Sequence, residues 1–219
     1  MKVTHVVAPV RVQAVEAIRE QIISGELAPG QRLIERELCE QLDVSRNTLR
    51  EACRQLEAEG FLSIPPHKGP IVTALSDEEA AAVFEVREAI ECFAVRLFVE
   101  RGTDEALARL DKTVARLRAA HDSGDVPAML AVKKDFYDAL YAGAGNDVLY
   151  AQARLLHGRL AQLRARSLSN DGRPAASMDE IEKVLEKIVA RDADTASALW
   201  REHIRNAAAA ALGGAPSPS

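Results

Sequence analysis

The sequence predicts a mainly α protein in two parts. Residues 1–75 form an N-terminal winged helix-turn-helix, and residues 76–212 an antiparallel bundle of about six helices. Three observations predict this. Aromatic residues make up only 4% of the chain while 47% is hydrophobic, with Ala, Leu, Glu and Arg abundant, the composition of helices with a core to bury. In residues 35–60, ERELCEQL-DV-SRNTLREACRQLEAEG, two helical patterns meet across a turn short enough to force a sharp crossing. Beyond residue 75, capping and breaking residues recur at helix-length intervals.

The first part reads in order. Residues 1–9 carry no pattern. Val15, Ile18 and Ile22 mark an amphipathic helix over 10–24, stopped by Gly25. Residues 27–30 read as a turn and 31–34 as a short extended piece. In the second helix of the helix-turn-helix, Val44, Leu49, Ala52, Cys53 and Leu56 recur at helical spacing as a buried stripe. Ser45 precedes its first turn, where a hydroxyl can cap free backbone N–H groups. Arg46, Arg50 and Arg54 share another face. Asn47 and Thr48 lie in the first turn, the part of a recognition helix that meets base edges. Arg pairs with guanine and Asn with adenine in bidentate fashion. Solvated charged helix faces are common, so the DNA reading rests equally on the preceding helix, the turn and a following wing. That wing is two strand candidates, 61–64 and 70–73, around the loop PPHKG. His67 and Lys68 are at its tip, with Gly69 allowing close approach to phosphates.

In the second part Ser76 and Glu79 form a capping box opening a long helix to Val99, ended by Gly102. Thr103 starts the next, through Asp122. Asp125 caps a third with Pro127 in its first turn, and 143–146 (GAGN) ends it. One long helix is expected over 147–168, then a loop over 169–176. A second capping box, Ser177 with Glu180, opens a helix to Ala190, and the last helix covers 193–212. Residues 213–219 (GGAPSPS) read as a disordered tail.

The net charge of −5 argues against non-specific coating of nucleic acid and for a local basic contact face. Cys39, Cys53 and Cys92 fit no zinc spacing, and an odd number completes no disulfide framework. They read as reduced core residues of a cytoplasmic protein. The sequence has neither an apolar run of membrane-spanning length nor a signal-peptide pattern, so no membrane partner is expected.

The stretch IISGELAPGQRLIERELCEQLDVSRNTLREACRQLEAEGFLSIPPHKGPIVT resembles the GntR family of bacterial transcription regulators, across nearly all of residues 10–75. The resemblance implies that Arg36, Arg46, Thr48, Arg50, His67, Lys68 and Gly69 lie on a DNA operator. Asn47-Thr48 stand where the family commonly has Thr-Pro. FEVREAIECFAVRL, FYDAL and EKVLEKIVARDADTASALWREHI are similar to the FadR-type C-terminal (FCD) sensor domain over 80–205. That implies a homodimer on a short palindromic operator, rearranged by a small effector that is often a carboxylate. In the family an Arg at the place of Arg87 often meets the effector; here Arg87 interrupts the stripe Val83, Ile90, Ala94, Leu97.

Many such domains hold a divalent metal through one Asp and three His. At the matching positions this sequence has Lys133, Tyr137, Ile181 and, of the original set, only His203. Asp135 lies about 200° round the helix from Lys133. One imidazole beside an ammonium cannot hold a metal that needs three or four donors, so no metal and no cofactor is expected. Arg87, Lys133, Tyr137 and His203, with Ile181, would instead suit an organic anion. Each alone is more often a snorkelling or hydrogen-bonded core residue, and the anion reading needs them together. No nucleophile–His–acid set and no Gly-rich phosphate loop points to an enzyme. Two alternatives stay open: a constitutive DNA-binding dimer whose sensor has lost its ligand, and a catalytic bundle with an accessory winged helix.

Overall fold

The computed structural model describes residues 10–213, which form ten helices and one two-stranded sheet. The expectations for residues 1–9 and 214–219 lie outside the described residues. The chain divides into two compact units, Met1–Leu75 with Leu155–Arg159, and Ser76–Arg154 with Leu160–Ser219.

The first unit contains α1 (Val10–Ser24), α2 (Glu35–Leu42), α3 (Arg46–Ala58), β1 (Leu62–Ser63) and β2 (Ile71–Val72). Its core forms where Val15, Ile18 and Ile22 of α1 meet Leu49, Ala52, Cys53 and Leu56 of α3. Each large aliphatic side chain buried there stabilises the unit by about 1.5–3 kcal/mol. Arg19 is also buried, its guanidinium paired with Glu16 and Glu59 and lying over the Phe61 ring. Asp43 turns the chain from α2 to α3 in a left-handed conformation, φ 50°. β1 and β2 pair antiparallel, Leu62 opposite Val72 and Ser63 opposite Ile71. The ladder is shorter than the four-residue strands expected, because Pro65, Pro66 and Pro70 have no N–H to donate. The extended piece before α2 flanks β2, with Val72 N–H donating to Gln31 O and Leu33 N–H to Pro70 O.

The remaining helices are α4 (Asp77–Arg101), α5 (Asp104–Asp122), α6 (Val126–Ala144), α7 (Asp147–Leu155), α8 (His157–Leu168), α9 (Arg173–Val189) and α10 (Ala193–Leu212); they belong to the second unit, except Leu155–Arg159 at the α7–α8 junction, which belongs to the first. The Ser76 hydroxyl accepts from Glu79 N–H while the Glu79 carboxylate accepts from Ser76 N–H, the expected capping box. Thr103, Asp125 and Asp192 cap α5, α6 and α10. α4 packs on both α6 and α10; α5 lies on α6 and α9, and α9 on α10. Trp200, Phe98, Leu110, Leu117, Met129, Leu140 and Met178 fill the interior.

Two expectations are corrected. The helix over 147–168 is two helices, with Leu156 in a turn between them. Gly158 N–H donates to Glu59 O at 2.8 Å instead of continuing a helical ladder. A Cβ at Gly158 would lie 2.4 Å from Phe61 N, so only glycine fits this approach. α9 starts at Arg173, four residues before the expected second capping box. Gly172 turns the chain at φ 74° and Pro174 fits the first turn. Ser177 and Glu180 are therefore one turn of a helix interior, and Ser177 is buried. No helix among the described residues is long and apolar enough to cross a membrane.

Candidate DNA interface and buried cationic cluster

The outward side of α3 carries the DNA candidates. Ser45 caps the helix, accepting from Thr48 N–H at 3.1 Å. The two hydroxyls also bond each other at 2.8 Å. Ser45 and Thr48 are thus engaged in forming the first turn, which leaves Arg46 and Asn47 as its outward side chains, both exposed. Among the described residues Arg46 makes no ion pair, whereas Arg50 meets Glu35 at 3.3 Å and Arg36 meets Glu40 at 3.2 Å. Those two pairs are exposed and worth little, so phosphate or guanine can displace them. The wing turn places His67 at φ 63° and Gly69 at φ 74°, with His67 and Lys68 exposed. Lys68 N–H closes the turn onto Pro65 O at 3.2 Å. α3 therefore stays surface-borne, its apolar stripe inward and its cations outward.

The effector candidates converge inside the second unit. Arg87 (α4), Lys133 and Tyr137 (α6), Ile181 (α9) and His203 (α10) are all buried. Arg87 donates to the Tyr137 hydroxyl at 2.7 Å, and its Nε lies 3.1 Å from Glu91. Tyr137 is edge-on to Trp200, which in turn lies 4.7 Å, centroid to centroid, from His203. Lys133 Nζ donates to Ser177 Oγ at 2.8 Å. Ile181, one turn after Ser177, adds apolar wall.

Sequence reasoning missed half of this cluster. Arg164 (α8) stacks 3.7 Å above the Tyr137 ring and reaches Glu91 at 3.3 Å. Arg173 (α9) holds Glu180 through two hydrogen bonds of 2.9 and 2.8 Å. Glu180 accepts from His203 Nδ1 at 2.6 Å, and Glu91 accepts from Trp200 Nε1 at 3.1 Å. Only Glu91 carried a sequence signal, as the i+4 partner of Arg87.

Of the four basic side chains of the cluster, Arg87, Arg164 and Arg173 thus share two carboxylates, Glu91 and Glu180, and Lys133 reaches neither. Burial works against the Glu180 charge, but hydrogen bonds from His203 and Arg173 outweigh it and hold its carboxyl down at about 2. Burial, with the charges of Lys133 and Arg87, pushes His203 down to about 3 despite the Glu180 hydrogen bond. His203 is therefore a neutral ring donating Nδ1–H to an ionised Glu180. Burial, then Arg87, Arg164 and Arg173, push Lys133 well below the ordinary lysine range. Arg164 Nε, Arg173 Nε and His203 Nε2 are buried with no hydrogen-bond partner among the described residues. Such orphans are uncommon in a finished core, and all three belong to this cluster.

Lys133, Tyr137 and Ile181 replace three ligands, and Asp135 points to the surface, where it pairs with Arg116 at 2.8 Å. Among the described residues no three His, Cys, Asp or Glu side chains group as a metal site. The cysteines are free, with Cys53 and Cys92 buried and Cys39 half-buried.

Comparison with known proteins agrees with both units. Residues 11–72 match the family described as bacterial regulatory proteins, gntR family, and residues 82–206 match the FCD domain. The chain is 34% identical to the Nta operon transcriptional regulator of Aminobacter aminovorans, over 63% of this chain and 65% of that protein. It is 30% identical to the HTH-type transcriptional regulator McbR of Escherichia coli, over 68% of this chain and 66% of that one. Among solved structures, E. coli McbR/YncC superposes with a TM-score of 0.77 at 25% identity, covering 90% of this chain and 94% of the other.

Proposed function

Because the chain belongs to the gntR family of bacterial regulatory proteins that carry an FCD domain, we propose that this transcription regulator binds a palindromic operator as a homodimer and responds to a small organic anion. In this reading α3 enters the major groove. Arg46 and Asn47 meet base edges, Arg36 and Arg50 exchange their surface partners for DNA, and His67, Lys68 and Gly69 bring the wing to the backbone. The FCD unit is the sensor, working in the cytoplasm beside the chromosome. The observation that carries the sensor half is the charge imbalance at Arg87, Lys133, Arg164 and Arg173. Three buried bases and the half-buried Arg164 facing two acids are a costly arrangement unless an anion completes it.

A homodimer is supported by the outer face of α4. Val86, Ala89 and Phe93 form an exposed apolar stripe, and Phe93 is 47% exposed. Beside it, Glu85, Glu88, Cys92, Arg96, Ser197 and Arg201 complete the lining of a recess of about 350 Å³. Acids precede the stripe's centre and Arg96 follows it. An antiparallel copy centred midway between Ala89 and Cys92 would set Glu85 against Arg96 in both directions, as a two-fold interface requires.

The DNA half is tested with fragments of the promoter beside the protein's own gene. Arg46→Ala and Arg50→Ala should each abolish specific retardation while circular dichroism shows unchanged helix. Lys68→Ala should weaken binding evenly and lower the salt slope by about one. Unchanged specific affinity in both arginine variants would reject α3 as the reading helix. Reciprocity gives a second check: an anion that weakens operator binding must bind the operator complex more weakly by the same factor.

A further inference from the structure

Resting on the anion reading of the same cluster, we infer that Lys133 captures the carbonyl of an oxo acid as an imine, so that the effector is held by a reversible covalent bond.

Among the described residues Lys133 has no acid partner. Its side chain is buried, 4% exposed. Among the described residues, its only hydrogen-bond partner is the neutral Ser177 hydroxyl, 2.8 Å away. An ammonium has three N–H groups to satisfy, and a buried charge without a counter-ion is costly. Both carboxylates of the cluster are already engaged. Glu180 accepts from Arg173, His203 and Asn206, and Glu91 from Arg164 and Trp200 beside Arg87. The neighbouring charges that act most on Lys133 are three guanidiniums. Such a nitrogen gives up its proton more readily than an exposed lysine, and a buried amine with its lone pair free is a nucleophile toward carbonyls. A simple anion site would gain nothing from this arrangement, since the three arginines supply fixed charge without it.

The rest of the cluster fits the second functional group of an oxo acid. Arg164 Nε and Arg173 Nε are unpartnered and suit its carboxylate. His203 Nε2 is unpartnered, on a neutral ring close enough to interact electrostatically with Lys133. It can accept a hydrogen bond from the Lys133 amine or from the departing water. The Lys133 nitrogen attacks the carbonyl carbon, forming a C–N bond, and one amine proton passes to the carbonyl oxygen. That oxygen then leaves as water with the second amine proton, giving C=N. One water is released, no oxidant is needed, and hydrolysis reverses the step.

The test uses the full chain incubated with pyruvate, glyoxylate or 2-oxoglutarate, then treated with borohydride, which reduces an imine to a stable secondary amine. Peptide mass spectrometry maps the adduct on the wild-type protein. An exposed lysine is an amine in only about one part in a thousand or less near neutral pH. Lys133 should therefore be labelled at least about tenfold more than exposed Lys112 by one of the three acids, and Lys133→Arg should lose that adduct. Labelling of Lys133 no greater than that of Lys112 with all three acids overturns the proposal. Thermal stabilisation by the same acids without borohydride separates the two ideas. Stabilisation without an adduct overturns the imine and leaves the anion receptor standing, while loss of both signals overturns both.

Discussion

The hydrogen bond from His203 to Glu180 sets how the second unit responds to acid. His203 is held at about 3 against an ordinary 6.5, and Glu180 at about 2 against 4.5. Both folded values are depressed. As pH falls below 6.5, the unfolded chain takes a proton on this histidine that the folded chain refuses, so stability declines. Below 4.5 the Glu180 contribution is lost as well. Urea denaturation should show a loss of about 3 kcal/mol from this histidine between about pH 6.5 and 4, and His203→Gln should remove that part of the slope. Lys133 is the opposite case, a buried amine with a hydroxyl partner and no acid. Lys133→Met should raise unfolding free energy by about 1–3 kcal/mol without any ligand, while abolishing adduct formation with oxo acids. The sequence exposed Arg87, Lys133, Tyr137 and His203 because each interrupts an apolar stripe or stands at a position the family marks. It hid Arg164 and Arg173, one on a helix with no distinct polar face and the other in a segment that read as loop.

Helices were legible wherever a side chain caps them. Ser45, Ser76 and Asp125 make the bonds their positions predicted. The helix ends that went unread have no capping side chain. α9 begins at Gly172 and Pro174, and a serine–glutamate pair four residues later has the same spacing as a true capping box. α7 and α8 part because Gly158 bonds to Glu59, a residue 99 positions away, which no local pattern contains. Helix contacts also fix the small residues. A Cβ at Gly143 would lie 2.1 and 2.4 Å from ring atoms of the fully buried Phe98, where α6 crosses α4. Gly143→Ala should cost about 2–3 kcal/mol in chemical denaturation, an effect opposite to the usual gain from alanine within a helix.

For the molecule as a regulator, the outer face of α4 matters most. Phe93→Asp would place a charge at the centre of the proposed two-fold contact, while its own fold, in which that ring is half exposed, should persist. Light scattering should then report a monomer with native circular dichroism, and operator affinity should fall because two half-sites are no longer engaged together. A dimer that survives Phe93→Asp places the contact elsewhere. This level was the least legible in the sequence. An exposed apolar stripe on one helix is indistinguishable, from spacing alone, from one that faces the protein's own core.

Trp200 is the only tryptophan in the chain, and its indole touches the cluster on both sides, through Nε1–H to Glu91 and by ring contact with His203. The protein therefore carries a built-in optical gauge. A carboxylate entering beside Arg164 would alter the field across the indole and shift its emission, so occupancy of the sensor can be followed without a label while a separate dye on the DNA reports the promoter.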